Sequence, residues 1–215
     1  MPVVLCYGDS NTHGSMPMSG PEGAGRYSRD MRWPGVAAAT LGPDWQVIEE
    51  GLGGRTTVHE DVVEGGARNG LAVLPAALHS HKPLDVVVLM LGTNDLKLRF
   101  SVTAQDIANS CGRLITCIRD QRLDPDPAVL LVCPPPIVET GYLGAMFAGG
   151  AEKSRALAPA IRALAGFHGV AFYDAAEVAT VDPLDGIHYS ADTHTALGAA
   201  MALQIERLGQ QRLRN

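Results

Sequence analysis

The chain has 215 residues, 46% of them hydrophobic, and a formal net charge of -6. That length suits one α/β domain, residues 1–215, able to bury about 70% of its unfolded surface without a disulfide or metal. The acidic balance and lack of a basic tract argue against nucleic acid or a membrane surface as partner, and no apolar run reaches the roughly 20 residues of a membrane span.

In chain order, residues 3–7 (Val-Val-Leu-Cys-Tyr) read as a buried strand. They lack a basic leader and are too short for a signal-peptide core, so a cytoplasmic location is expected. Residues 15–32 form a long loop rich in glycine, proline and methionine, followed by a helix over 33–41 and a strand over 46–50. A helix over 69–81 leads to residues 86–91, which are continuously apolar, as in a parallel strand covered on both faces. Thr103 and Asp106 have capping-box spacing at the head of a helix over 103–121. Asp124-Pro125-Asp126-Pro127 is a turn. The strand over 129–133 stops at Pro134-Pro135-Pro136, which cannot donate to a ladder. A second long segment, 134–150, precedes a helix over 151–168. Gly169 closes that helix before a strand over 170–173, and a last helix covers 192–208. Strands and helices alternating in this way predict a three-layer α/β/α sandwich around a five-stranded parallel sheet, flavodoxin-like in its winding. Cys6, Cys111, Cys117 and Cys133 form no Cys-x-x-Cys pair and read as buried free thiols.

The chemistry-bearing residues fall at the ends of these strands. Gly8-Asp9-Ser10-Asn11-Thr12-His13-Gly14 follows the first strand and places Ser10 at a strand-to-loop exit, at the carboxyl edge where open α/β sheets bind ligands. A serine hydroxyl needs a base before it attacks. Asp185-Gly186-Ile187-His188 offers one, because the three-residue spacing lets the acid hold one ring nitrogen while the other faces outward. Gly51-Leu52-Gly53-Gly54-Arg55-Thr56-Thr57 and Gly92-Thr93-Asn94-Asp95 supply candidate donors for a developing oxyanion: the Gly54 backbone N–H and the Asn94 amide. Arg55 is expected to pair with an acid and hold the loop, and His59 is a candidate wall residue. Met16, Met18, Met146 and Phe147 suit either a substrate wall or a subunit contact. The serine is not in a Gly-x-Ser-x-Gly elbow.

Four blocks in this order resemble the SGNH hydrolase superfamily, also called the GDSL-type esterases and lipases, over nearly the whole chain. The Gly51–Thr57 block and Asp30-Met31-Arg32-Trp33-Pro34-Gly35 look like its arylesterase, acyltransferase and carbohydrate acetylesterase branch. The resemblance implies Ser10 as nucleophile, His188 as base and Asp185 as its orienter. It implies an oxyanion hole made by the N–H of Ser10, the N–H of Gly54 and the amide of Asn94, with Gly53 as second choice for the glycine. Asn11 stands where the family often has leucine and His13 where an aromatic is frequent. Both departures bear on the acyl pocket, and Asn11, His13, Gly53 and Ile187 are candidate substrate-binding residues. The implied substrate is a short-chain ester, with acyltransferase or perhydrolase activity beside hydrolysis, no cofactor, no metal, and a homo-oligomer with 134–150 as candidate contact. A thioesterase or lysophospholipase is the same-chemistry alternative. A metallophosphoesterase lacks part of its metal set here. A nucleotide- or sugar-binding module lacks its glycine fingerprints.

Overall fold

The computed structural model describes residues 1–23 and 25–212. Five strands, β1 (Val3–Gly8), β2 (Gln46–Gly51), β3 (Val86–Met90), β4 (Ala128–Cys133) and β5 (Ala171–Asp174), form one parallel sheet in the order β2-β1-β3-β4-β5. The apolar runs behave as sheet interior because both faces are covered. Leu5, Tyr7, Val87, Leu89 and Leu131 point to one side, where they pack with α3 (Gly70–His81), α4 (Ala104–Asp120) and α6 (Leu157–His168). Val4, Cys6, Val88, Met90, Leu130 and Val132 point to the other, against α2 (Trp33–Leu41) and α7 (Ala191–Arg212). The three-layer α/β/α sandwich with a five-stranded parallel sheet is the architecture expected from the sequence. Each of these buried aliphatic side chains contributes about 1.5–3 kcal/mol by leaving water.

Local chemistry sets most boundaries. Thr103 caps α4 by accepting the Asp106 N–H at 3.1 Å, while the Asp106 carboxylate accepts the Thr103 N–H at 2.9 Å. Gly169 ends α6 in the left-handed region at φ 61°. Two expectations are corrected. Residues 151–168 are not one helix: α5 (Gly150–Arg155) and α6 meet at Ala156. The break is where Pro159 lacks the N–H that would bond the Arg155 carbonyl and its ring crowds that group. Ser10 does not sit in an open loop but begins a one-turn helix, α1 (Ser10–His13), capped by Asp9, whose carboxylate accepts the Asn11 N–H at 2.9 Å.

Topology and register together position the site. The strand order reverses direction about β1 and β3, and open α/β sheets bind ligands at the carboxyl end of such a switch point. Gly8, the last residue of β1, is in register with Gly51 of β2 and Met90 of β3. The Gly-Asp-Ser turn, the second glycine loop and the Gly-Thr-Asn-Asp turn therefore leave the sheet side by side. All four cysteines are buried and free. Among the described residues, no helix is long and apolar enough to cross a membrane.

Candidate active site

Gly8 makes the turn out of β1 possible, because a Cβ there would lie 2.0 Å from Thr12 Oγ1 and 2.9 Å from the Met90 carbonyl oxygen. Ser10, 6% exposed, is the first residue of α1, so its N–H has no intrahelical carbonyl to bond. Burial pushes the adjacent Asp9 carboxyl up to about 6, against the Asn11 N–H, which lowers it.

Residues 51–57 pass beside Ser10. Gly54 sits at φ 75°, where glycine is favoured, and a Cβ on it would meet Glu64 Oε2 at 2.7 Å. Arg55 holds this loop to the sheet, but not through an acid: its Nη1 donates to the carbonyls of Gly8 and Glu50, and its guanidinium lies 4.1 Å from the centre of the Tyr7 ring. Asn94 Nδ2 donates to the Arg55 carbonyl at 3.1 Å, which leaves its second N–H unspent by that bond. The buried Asp95 carboxylate accepts both the N–H and the hydroxyl of Thr57, tying the third block to the second.

The carboxylate and imidazole come from the segment before α7. His188 Nδ1 is 2.6 Å from Asp185 Oδ2, while Asp185 Oδ1 accepts the N–H groups of Ile187 and His188, each at 2.9 Å. Asp185 Oδ2 also accepts the Met18 N–H at 2.9 Å, so the long loop 15–32 closes over this acid. Burial pushes the Asp185 carboxyl up, but hydrogen bonds from the side chain and backbone of His188 prevail and hold it at about 2. It is anionic at neutral pH, which favours the His188 tautomer with its proton on Nδ1. Gly186 at φ 72° makes the turn, since a Cβ would fall 1.8 Å from the Val138 carbonyl oxygen.

These segments share one cavity of about 290 Å³, lined by Ser10, Gly53, Gly54, Asn94, Ile187 and His188. Met16, Met18, Met146 and Phe147 line it too, which places parts of both long segments, 15–32 and 134–150, in its wall. Asn11 and His13 do not line it. Asn11 is buried and ties α1 to the histidine segment, donating through Nδ2 to the Ile187 carbonyl at 3.1 Å. The backbone of His13 packs against Gly51, where a Cβ would meet its nitrogen at 2.1 Å. His59 also lies outside the lining, stacked on Phe100 with ring centres 5.2 Å apart.

Two charged lining residues fall outside the segments singled out from the sequence, Glu64 and Lys97. Lys97 Nζ is 3.0 Å from Asp61 Oδ2 and 2.8 Å from Glu64 Oε2, and Arg99 Nη1 is 2.8 Å from Asp61 Oδ1. Lys97 follows Asn94 by three residues across a 3₁₀ turn, a spacing that stacks the two side chains on one side. That spacing was the available signal. Nothing in the pattern around Asp61 announces its partner 36 positions away.

A serine at the switch point, a buried carboxylate–imidazole pair and convergent N–H donors around one cavity are the equipment of a serine hydrolase. The chain belongs to the GDSL-like lipase/acylhydrolase family, whose model matches residues 6–196. Among solved structures it is similar to Est24, a carbohydrate acetylesterase from Sinorhizobium meliloti (42% identity, TM-score 0.91, 97% of this chain and 100% of that one). It is similar also to the M. smegmatis aryl esterase (40% identity, TM-score 0.91, 97% and 100%). A third relative is a putative arylesterase from Agrobacterium tumefaciens str. C58 (39% identity, TM-score 0.88, 97% and 100%). No curated protein matches the chain.

Proposed function

We propose that this chain is a serine esterase that hydrolyses short-chain acyl esters through an acyl-Ser10 intermediate. The observation that carries the reading is the Asp185–His188 pair at 2.6 Å opening on the same small cavity as Ser10. With the Nδ1 proton held by Asp185, neutral His188 presents Nε2 as the basic nitrogen. It takes the Ser10 hydroxyl proton as Oγ attacks the ester carbonyl, then returns that proton to the departing alkoxide. In the second half it takes a proton from water, which attacks the acyl-serine, and gives it back to Ser10 Oγ as the acid leaves. The N–H groups of Ser10 and Gly54 and the free N–H of Asn94 meet the oxyanion of each tetrahedral intermediate.

The cavity volume and its methionine and phenylalanine wall favour a small, neutral acyl group, and the relatives described as acetylesterase and arylesterases support the same choice. Those apolar side chains also suit an alcohol in place of water as acyl acceptor. Ser10→Ala is expected to lower kcat on phenyl acetate by about 10⁴-fold or more, and a fluorophosphonate probe to label wild type at Ser10 alone. Retained turnover or labelling elsewhere would remove Ser10 from the mechanism. An activity optimum at long acyl chains would replace the short-acyl substrate with a lipid.

We also infer a homo-oligomer. Val138, Tyr142 and Leu184 are 51%, 48% and 48% exposed on adjoining segments, in and beside the 134–150 stretch. Light scattering of purified protein tests this, a monomer at micromolar concentration being the contrary result.

A further inference from the structure

Set aside Ser10, Asn94 and His188, and the cavity wall is mostly apolar, with Glu64 and Lys97 as its charged members. Lys97 is 1% exposed. Burying an ammonium carries a desolvation penalty that ion pairing repays only with good geometry and further hydrogen bonds, and apolar replacements of such pairs are often neutral or stabilising. Stability alone is therefore a weak account of an ion pair in the wall of this pocket. Its hydrogen-bond inventory shows what it offers. The ammonium has three N–H donors, of which Asp61 and Glu64 take two. Asp61 is shared with Arg99, whose Nη2 also lies 4.0 Å from Glu64 Oε1, and Arg68 spends Nη2 on the Glu64 carbonyl. One Lys97 donor and the remaining lone pairs of the Glu64 carboxylate are left where both side chains border the cavity.

We propose that Lys97 and Glu64 are the specificity-determining pair of this cavity, and that they select an ester carrying a free hydroxyl close to the scissile bond. The proposal rests on the serine esterase reading. A hydroxyl is the group that uses both ends of the pair, its oxygen accepting from the Lys97 ammonium and its proton donated to the Glu64 carboxylate. A substrate carboxylate would face Glu64 with Asp61 behind it. An ammonium would face Lys97. A methyl group would leave both charges dry and unpaired, and sites built to bond a substrate hydroxyl reject the analogue lacking it far more strongly than apolar pockets reject an added hydroxyl. Glu64 also lies against Gly54, so the selected hydroxyl is held beside the loop that carries the proposed oxyanion donor.

The test is kcat/KM on matched esters in which a hydroxyl replaces a methyl: 2-hydroxyethyl acetate against propyl acetate, and ethyl glycolate against ethyl propionate. Wild type, Lys97→Met and Glu64→Gln are compared by the ratio within a pair, so that intrinsic ester reactivity cancels between proteins. The expected result is that the hydroxyl-to-methyl ratio of at least one pair falls about 10-fold or more in both variants. A merely structural role would slow both members of a pair alike and leave the ratio where it was. A ratio unchanged on both pairs in either folded variant overturns the proposal. Should Lys97→Met fail to fold, Glu64→Gln decides alone, its side chain being 28% exposed and its shape unaltered. If wild type shows no Ser10-dependent cleavage even of phenyl acetate, the esterase reading itself has failed and the pair's role falls with it.

Discussion

The two halves of the site are held in different ways. Ser10, Gly54 and Asn94 stand just beyond the ends of β1, β2 and β3, and strand register fixes their spacing: Gly8 pairs with both Gly51 and Met90. Asp185 and His188 lie in irregular chain before α7, held by loop-to-loop bonds. Val138 N–H donates to the Gly186 carbonyl at 2.9 Å, Asp182 N–H to the His188 carbonyl at 2.7 Å, and Asn11 Nδ2 to the Ile187 carbonyl at 3.1 Å. Catalytic precision on the strand side comes from a cooperative ladder. On the histidine side it comes from one carboxylate that accepts from His188 and from three backbone N–H groups.

The contrast predicts where damage spreads. Of the substitutions that test the contrast, Asp185→Asn has the largest effect. It removes the acceptor that fixes the His188 tautomer and weakens the anchor of the whole loop, so kcat is expected to fall about 10⁴-fold. A Tm loss should accompany the rate loss, and near wild-type kcat would show that the loop needs no such anchor. Asn94→Ala, on the strand side, is expected to cost about 10²–10³ in kcat, because one oxyanion donor is lost. Its Tm should stay close to wild type, because β3 and the Asp95–Thr57 clamp remain. A Tm drop as large as that of Asp185→Asn would erase the difference between the halves.

Asp9 sharpens the comparison through pH. Burial raises its carboxyl to about 6 from 3.8, so the folded state holds its proton more tightly than the unfolded state does. The ionised form therefore penalises folding fully above about pH 6, and the penalty fades as pH falls from 6 toward 4. Asp9→Asn keeps the cap acceptor and removes the charge, so it should stabilise by about 2–3 kcal/mol at pH 8 and by little at pH 4. Asp185 has the opposite sign: its depressed carboxyl adds stability above about pH 4, which is lost as pH falls through about 2. Denaturant midpoints of Asp9→Asn across pH 4–8 test the first sign, and a gain that did not grow with pH would refute it. The smallest effect lies far from the site. Thr103→Ala removes the α4 cap and should cost about 1 kcal/mol with kcat unchanged, by chemical denaturation and a standard ester assay.

Much of this was legible because its causes are local. Continuous apolar runs marked β3 and β4 as buried strands, Thr103 and Asp106 announced a helix start, and Gly186 between Asp185 and His188 announced a turn that lets acid and imidazole meet. Pro159 carries the signal for the split at Ala156. The family resemblance points Asn11 and His13 to the acyl pocket, and neither lines the cavity. The one-turn helix that Ser10 opens carries both toward other contacts, and a helix of four residues is too short to leave a periodic pattern.

The sequence by itself determined the alternation of strands and helices, the boundaries drawn by caps and prolines, and the turn that joins Asp185 to His188, since each follows from side chains a few residues apart. Only the tertiary structure decided which walls enclose the cavity and that Lys97 would meet Asp61 and Glu64 there. Those contacts depend on the paths of loops whose ends the sheet register brings together, and no short-range preference encodes a meeting across such distances.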